Sequence, residues 1–288
     1  MTPLALCLVL CSAGLHVVQH VALKRARDRM SFLWWMWLWA AVLFLPVPIF
    51  MWRALPTSVW GLLAVSAVFE TLYYLSIARA YRTGDLSLVY PLARGVAPMF
   101  VCLWTAIALR EYPSAVGALG IALIVAGLCV VQLRGGGDWR RLRSALRESA
   151  ARWSLLAGLC ISLYTTIDKA GVGLAPSLLY TYLAMTLTLV YLTPAAFAAI
   201  GWKGLCIEWR ASKLPTLLAG CSAMAAYAIV LFVMQTGAHT SYVSATREIS
   251  VVFGTLLGTT VFKESAGPMR VLGAVLITLG VAVTGLFA

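Results

Sequence analysis

The sequence leads to an all-α integral membrane protein with ten transmembrane helices, built as two inverted five-helix repeats. Three observations point there: an apolar composition, ten apolar stretches of spanning length, and a match of the chain to itself at one fixed offset. Of the 288 residues, 62% are hydrophobic and only 11% are charged, where a soluble domain carries about 25% charge. A soluble chain of this length could not hide that much apolar side chain, because its surface must face water. The same composition excludes a disordered, collagen-like or disulfide-stapled chain.

A spanning helix needs roughly 20 mostly apolar residues. Ten stretches qualify: Pro3–Leu23, Phe32–Met51, Thr57–Ala80, Leu86–Leu109, Ser114–Leu133, Trp153–Gly173, Pro176–Ile200, Leu214–Gly237, Ser241–Phe262 and Gly267–Phe287. They are called spans 1 to 10. Charges or turn residues separate them, as at Lys24 to Arg29, Pro56, Gly84–Asp85 and Glu111–Tyr112–Pro113. Span 1 does not read as a cleaved signal peptide, since its positive charges follow the apolar run instead of preceding it. The seven cysteines show no CxxC or zinc spacing and read as small packing residues.

The net charge of +12 serves as a topology signal. Seventeen of the 22 Lys and Arg fall in the loops after spans 1, 3, 5, 7 and 9 or at the span ends beside them, and three fall on the other side. The positive-inside rule puts the richer side in the cytoplasm and both termini outside. Arg94 and Arg247 remain, both inside spans.

Shifted by 153 residues, the halves align without a gap over some 55 residues. Tyr74 meets Tyr227, Arg94 meets Arg247, Phe100 meets Phe253 and Glu111 meets Glu264. Gly120 meets Gly273, Leu123-Ile124 meets Leu276-Ile277, and Gly127 meets Gly280. Apolar matches come cheaply in such a chain, whereas two polar matches at a common offset do not. Residues 1–133 form the first repeat, 134–152 a basic connecting loop, and 153–288 the second repeat. Five spans is an odd number, so the second repeat must enter from the opposite side. That is the architecture of many secondary transporters, in which a site between the halves opens to each side in turn.

With Arg79-Ala-Tyr-Arg-Thr-Gly-Asp-Leu-Ser-Leu-Val-Tyr-Pro91 running to Arg94, then Glu111, Gly120 and Gly127, the chain resembles the EamA group of the drug/metabolite transporter superfamily. The second-half counterpart is Thr246-Arg-Glu248 with Lys263-Glu264, Gly273 and Gly280. The resemblance covers nearly the whole chain and implies transport of amino acids, sugars, drugs or other metabolites, by export or exchange. Its first-half segment is similar to a subgroup linked to phosphonate utilisation. Several relatives of this kind are described with cytoplasmic termini, opposite to the charge count here.

Ionisable residues inside spans mark candidate functional sites. Arg94 and Arg247 each lie about a third of the way into helices that start from opposite sides, so their guanidiniums converge on the middle. A permanently charged fork suits carboxylate or phosphate; the structural alternative is snorkelling or pinning of helix carbonyls. Glu248, flanked by Ser244, is a candidate for proton coupling or for a structural pair with an arginine of another helix. Glu70 could balance Arg94 or carry a proton. Tyr74 and Tyr227 are a repeated pair suited to an organic substrate or to plain aromatic packing. Tyr90 lies one turn before Arg94, and Pro91 and Pro98 can kink that helix. His16, Gln19 and His20 form a polar stripe on span 1, with His16 a candidate proton acceptor; Tyr164, Thr165 and Thr166 occupy the corresponding part of span 6. Asp168-Lys169, near the outer end of span 6, reads as snorkelling or a mutual pair.

The remaining features read structurally. Glu111 and Glu264 anchor or cap loops at the membrane surface. The repeated glycines allow close helix approach, within the chain or at the interface of a homodimer. Trp34, Trp35, Trp37 and Trp39 suggest a lipid-facing belt. Arg134 to Arg152 suggests a surface helix on anionic lipid, with nucleic acid excluded for want of a domain to present it. No P-loop, HExxH, paired catalytic carboxylates or nucleophile elbow is present. The expectation is therefore a gradient-driven, non-enzymatic transporter of a small polar or anionic metabolite in the plasma (inner) membrane, without cofactor or bound metal. A flippase for a lipid-linked sugar or phospholipid is the main alternative, and a sensor or scaffold that binds without flux is another.

Overall fold

A computed structural model describes residues 1–83, 86–131, 149–260 and 267–286, with side chains apart from those of 24, 81–83, 86–88, 90, 91, 255 and 257–260. The described residues are helical, with no strand among them. The helices are α1 (Pro3–Arg25), α2 (Arg29–Leu43), α3 (Pro46–Met51), α4 (Thr57–Thr83), α5 (Leu86–Ala108), α6 (Ala115–Val131), α7 (Ser149–Val172), α8 (Ser177–Gln235), α9 (Thr240–Thr246), α10 (Ile249–Thr260) and α11 (Pro268–Leu286). Among the described residues, six helices are long and apolar enough to cross a membrane, two of them within the first 51 residues.

Local chemistry explains several boundaries. Thr2 caps α1 by accepting from the Ala5 amide at 3.2 Å, with Pro3 in the first turn. Asp28 caps α2 by accepting from the Ser31 amide at 2.7 Å. Pro46 restarts the chain as α3 after span 2 turns at Phe44 and Leu45. Spans 7 and 8 both lie in α8, and the loop expected between them is helical, set off by turns at Gly201 and Ser212. Gly201 has φ +69°, a conformation that a side chain would strain.

Span 9 is discontinuous. α9 ends at Thr246 and α10 begins at Ile249. Between them the amides of Glu248, Ser250 and Val251 donate three residues back, to Ala245, Arg247 and Glu248 at 3.0, 3.1 and 2.9 Å. That is a tightened 3₁₀ pattern, of the kind found at hinges. By contrast, α5 runs without interruption through Pro91 and Pro98. A proline deletes a single donor, and neighbours in a packed bundle can hold the rest of the helix.

The repeat is visible as reciprocal contact. α6 and α11 pack face to face through their glycines. A Cβ on Gly127 would lie 2.7 Å from the Gly273 carbonyl oxygen, and a Cβ on Gly273 would lie 2.7 Å from that of Gly127. Gly120 and Gly280 meet in the same way, at 3.0 and 2.7 Å. Each glycine therefore faces the repeat counterpart of the other glycine of its own helix. Such mutual pairing is the mark of a twofold axis. Because the helices run antiparallel, that axis lies perpendicular to them, which is what inverts one repeat against the other. These glycines are filled by contacts within the chain, so they are not a surface for a second copy. Other packing follows the same symmetry: α4 lies on α7 as α1 lies on α8, and α5 lies on α9 across the axis.

Contacts between connecting segments join segments of like parity. The loop after span 1 meets the connector after span 7, where the Asp28 amide donates to Glu208 at 2.9 Å. Arg79, at the end of span 3, lies 5.2 Å over the Trp153 ring at the start of span 6. At the opposite end Glu111, after span 4, pairs with Lys169 at 3.4 Å and accepts from the Thr240 amide at 3.0 Å. Glu111 thus caps α9, in the anchoring role its position suggested.

The tryptophans of α2 do not form a lipid-facing belt. Trp34 and Trp35 are buried against α8, and Trp37 is buried with its ring 5.8 Å from that of Tyr74 on α4. The Trp34 indole donates to Thr193 at 3.0 Å and that of Trp35 to the Leu205 carbonyl at 2.8 Å. Trp35 and Trp39 both stack on Trp209, at 4.8 and 5.1 Å. The partner surface for Trp35 and Trp39 comes from the helical connector of α8, and that for Trp34 also from Thr193 and Phe197 ahead of it.

Candidate functional site

A buried polar cluster lies where α1, α4, α5, α7, α8 and the α9–α10 junction converge. Its centre is an ion pair. Arg94, from α5, donates through Nε to Glu248 Oε2 at 3.0 Å, and both side chains are at most 5% exposed. Arg247 stands beside Glu248 in the 3₁₀ turn, with its guanidinium 5.7 Å over the Tyr227 ring. The helix break explains how two adjacent residues both face inward. Adjacent positions on a regular α-helix point about 100° apart, and the tightened turn changes that relation. Glu248 lies in the electrostatic field of both guanidiniums, so one carboxylate serves two buried arginines.

Of the residues singled out in the sequence, Arg94, Arg247, Glu248, Tyr227, Tyr164, Tyr74 and Ser244 are buried together or in sequence through ring contacts. Tyr74 touches Tyr73 at 4.7 Å, Tyr73 touches Tyr164 at 6.2 Å, and Tyr164 touches Tyr227 at 6.2 Å. The repeated tyrosines are thus the two ends of a row of four tyrosines, which continues past Tyr74 to Trp37 at 5.8 Å. Tyr73 completes it and was overlooked as a wall residue because it has no counterpart in the repeat. The side chain of Tyr90 lies outside the described residues. His16 and His20 face each other, their Nε2 atoms 3.0 Å apart, within the field of both arginines. No group of His, Cys, Asp or Glu suited to a metal occurs among the described residues.

Two carboxylates stand apart from the arginines. Glu70 accepts from the Thr188 hydroxyl at 2.8 Å, whereas the acidic partner of Arg94 is Glu248. Asp168 was expected near the outer end of span 6, snorkelling or paired with Lys169. It is fully buried. It accepts from Ser66 at 2.5 Å, from Tyr180 at 2.9 Å, and from the Tyr227 hydroxyl. Lys169 turns away, to Glu111 and to the carbonyls of Met234 and Ala238 at 2.7 and 3.3 Å. The charge of Asp168 within an apolar span was the available signal; the long flanking helices that cover it were not.

Several donors around the cluster are unused. Arg247 Nε and the hydroxyls of Thr165 and Ser250 are buried without a hydrogen-bond partner. Buried donors of this kind are normally satisfied, so the cluster can still bind an acceptor. A guanidinium over an aromatic wall can hold an anionic group and an organic body together.

No curated protein matches the chain. Among solved structures, 28 chains match. One crystal structure has 14% identity, a TM-score of 0.75, and coverage of 99% of this chain and 98% of its own. At that identity the likeness establishes a shared fold over the full length of both chains. Residues 2–133 and 149–286 match the EamA-like transporter family. With that match across both halves and with its long apolar helices, the chain belongs to the EamA-like transporter family, a multi-pass membrane protein of the drug/metabolite transporter superfamily.

Proposed function

We propose that this transporter moves a small anionic metabolite by alternating access, driven by a gradient, as an exporter or exchanger in the plasma membrane. One observation carries the reading. Arg94 and Arg247 are buried in the same cluster with one carboxylate, Glu248, between them. Among the described residues, two permanent cations share this one carboxylate, which leaves an excess positive charge at the site. A buried charge without a partner is costly, so a carboxylate, phosphate or phosphonate group on the substrate stabilises the site. Tyr73, Tyr74, Tyr164 and Tyr227 take its organic body. Tyr90 and Ser244 belong to the same binding region, and Glu248, Glu70 and His16 are the first candidates for coupling or charge balance. Family membership supports transport, and the reciprocal glycine contacts support a two-state exchange between symmetric halves. The like-parity contacts support ten crossings, with the basic ends facing anionic lipid of the cytoplasmic leaflet.

Purified protein in liposomes tests the proposal. Thermal stabilisation across a library of carboxylates, phosphates and phosphonates identifies ligands, and uptake with and without a pH gradient follows. Arg94→Gln and Arg247→Gln should each abolish binding of the acidic group. Normal binding and transport by both variants would reject the site. Movement of a labelled lipid with no soluble substrate would point to a flippase.

A further inference from the structure

Asp168 is a buried carboxylate that the binding site does not use directly. It sits on α7 with no exposed surface, and all its described partners are hydroxyls: Ser66 of α4, and Tyr180 and Tyr227 of α8. The other charged and titratable groups around it are accounted for. Glu70 of α4 acts on it electrostatically and is itself bonded to Thr188. Lys169, its neighbour on α7, is held by Glu111 and two carbonyls. A carboxylate can accept all three hydroxyls when ionised, and becomes a donor at one oxygen when protonated.

We infer that Asp168 is a reversible proton site linked to the anion site through Tyr227. The tyrosine is bound at both ends. Its hydroxyl donates to Asp168 Oδ2, and its ring carries the Arg247 guanidinium. When a proton from the aqueous phase adds to Oδ2, an O–H bond forms and the carboxylate charge is lost. That oxygen then ceases to be a strong acceptor for Tyr227. The phenol stays intact, keeps its own proton, and is free to turn. Turning moves the ring from under Arg247 and removes the wall against which the guanidinium holds the anion, so the anion is released. Loss of the proton to the opposite aqueous phase restores the Tyr227 bond and with it the Arg247 site. Proton and anion therefore alternate at the site, as proton-driven export requires, and each lowers the affinity for the other by the same factor. The link rests on the anion-transport reading above, whereas the proton site is detectable without it.

Two measurements on the full-length protein test the inference. In infrared difference spectra of proteoliposomes across pH, with no substrate present, a carboxylic C=O band should appear on acidification and be absent in Asp168→Asn. In uptake of labelled succinate and of methylphosphonate, the ratio with and without an outward proton gradient (acidic lumen) should exceed one. That ratio should fall to one in Asp168→Asn. Tyr227→Phe leaves the carboxylate in place, so the band should still titrate while the ratio falls to one. This second variant keeps the test open if Asp168→Asn does not fold. A band that persists unchanged in Asp168→Asn, or a gradient ratio unchanged in Tyr227→Phe, would overturn the inference. Titration of the band in a protein that moves neither probe would leave the proton site standing and count against the transport reading alone.

Discussion

The glycine contacts between α6 and α11 permit a prediction with a magnitude. Alanine at Gly127 places a Cβ 2.7 Å from the Gly273 carbonyl oxygen, and alanine at Gly273 places one 2.7 Å from the Gly127 oxygen. Ordinary contact begins at 3.4 Å, so each substitution drives the helices apart by roughly 0.7 Å. The obstacle is backbone, which cannot rotate aside as a side chain can. Overpacking of this kind costs about 1–3 kcal/mol. Reciprocity adds a sharper condition. Both substitutions demand the same separation, so Gly127→Ala/Gly273→Ala should cost clearly less than the sum of the single changes. Gly14 is the control: a Cβ there meets nothing within 4 Å. Gly14→Ala should be neutral or gain up to about 1 kcal/mol from helix propensity. Reversible unfolding in mixed micelles, followed by circular dichroism, measures all four proteins. Additive single costs, or a Gly127→Ala protein as stable as Gly14→Ala, would refute the twofold packing.

The Arg94–Glu248 pair should behave as a buried unit. Glu248→Gln should cost about 3–5 kcal/mol by leaving two buried guanidiniums without their carboxylate, Arg94→Gln should cost less because Glu248 keeps Arg247 beside it, and the double substitution should cost less than the sum of the two, as read from a double-mutant cycle. Arg110 has φ +54° just past the end of α5. Arg110→Gly should therefore be neutral or stabilising by up to about 1 kcal/mol in the same unfolding assay. Orientation is open to labelling: on a background lacking the native cysteines, Arg53→Cys should react with an impermeant maleimide from outside intact cells and Lys203→Cys only after lysis. The reverse pattern would place the termini in the cytoplasm.

The helical stretches were legible in the sequence because lipid imposes length and apolarity, and both can be read residue by residue. The repeat was legible because Arg94 and Arg247 are expensive in that setting and stood at one offset with their glycines. The sequence could not show which groups meet. Arg94 and Glu248 are 154 residues apart, and their pairing depends on a 3₁₀ turn that no proline or glycine announces. Asp168 was misplaced for a related reason. It lies within a turn of the end of α7, but α4 and α8 run past that end and supply three hydroxyls. The α2 tryptophans at 34, 35, 37 and 39 occupy several faces of one helix, so periodicity could not assign them. Trp35 and Trp39 find their partners on a connector that composition presented as a loop.

Symmetry and asymmetry divide the molecule in an instructive way. The scaffold obeys the repeat: glycine faces glycine, and each arginine has its counterpart. The carboxylates buried within the spans do not. Glu248 corresponds to Gly95 and Glu70 to Ala223. A fully symmetric site would face both membrane sides with equal affinity, and a ligand that binds two states equally cannot shift them. In the alternating-access mechanism proposed above, placing the acids in one repeat or the other, and not in both, would make the two states electrostatically unequal while the symmetric scaffold keeps both accessible. Replacing Gly95 by Glu would restore a carboxylate to the first repeat beside Arg94. Its Cβ position meets Leu128 at 3.6 Å, an ordinary contact, so the backbone can accept a side chain there. The added acid projects from α5 about 100° away from Arg94 and toward Leu128, but within the low-dielectric bundle its charge still offsets the excess positive charge of the cluster. Gly95→Glu should therefore lose affinity for anions while Gly95→Ala, which adds bulk without charge, keeps it. Equal loss in the two variants would mean that space, and not the two-against-one charge balance, governs the site.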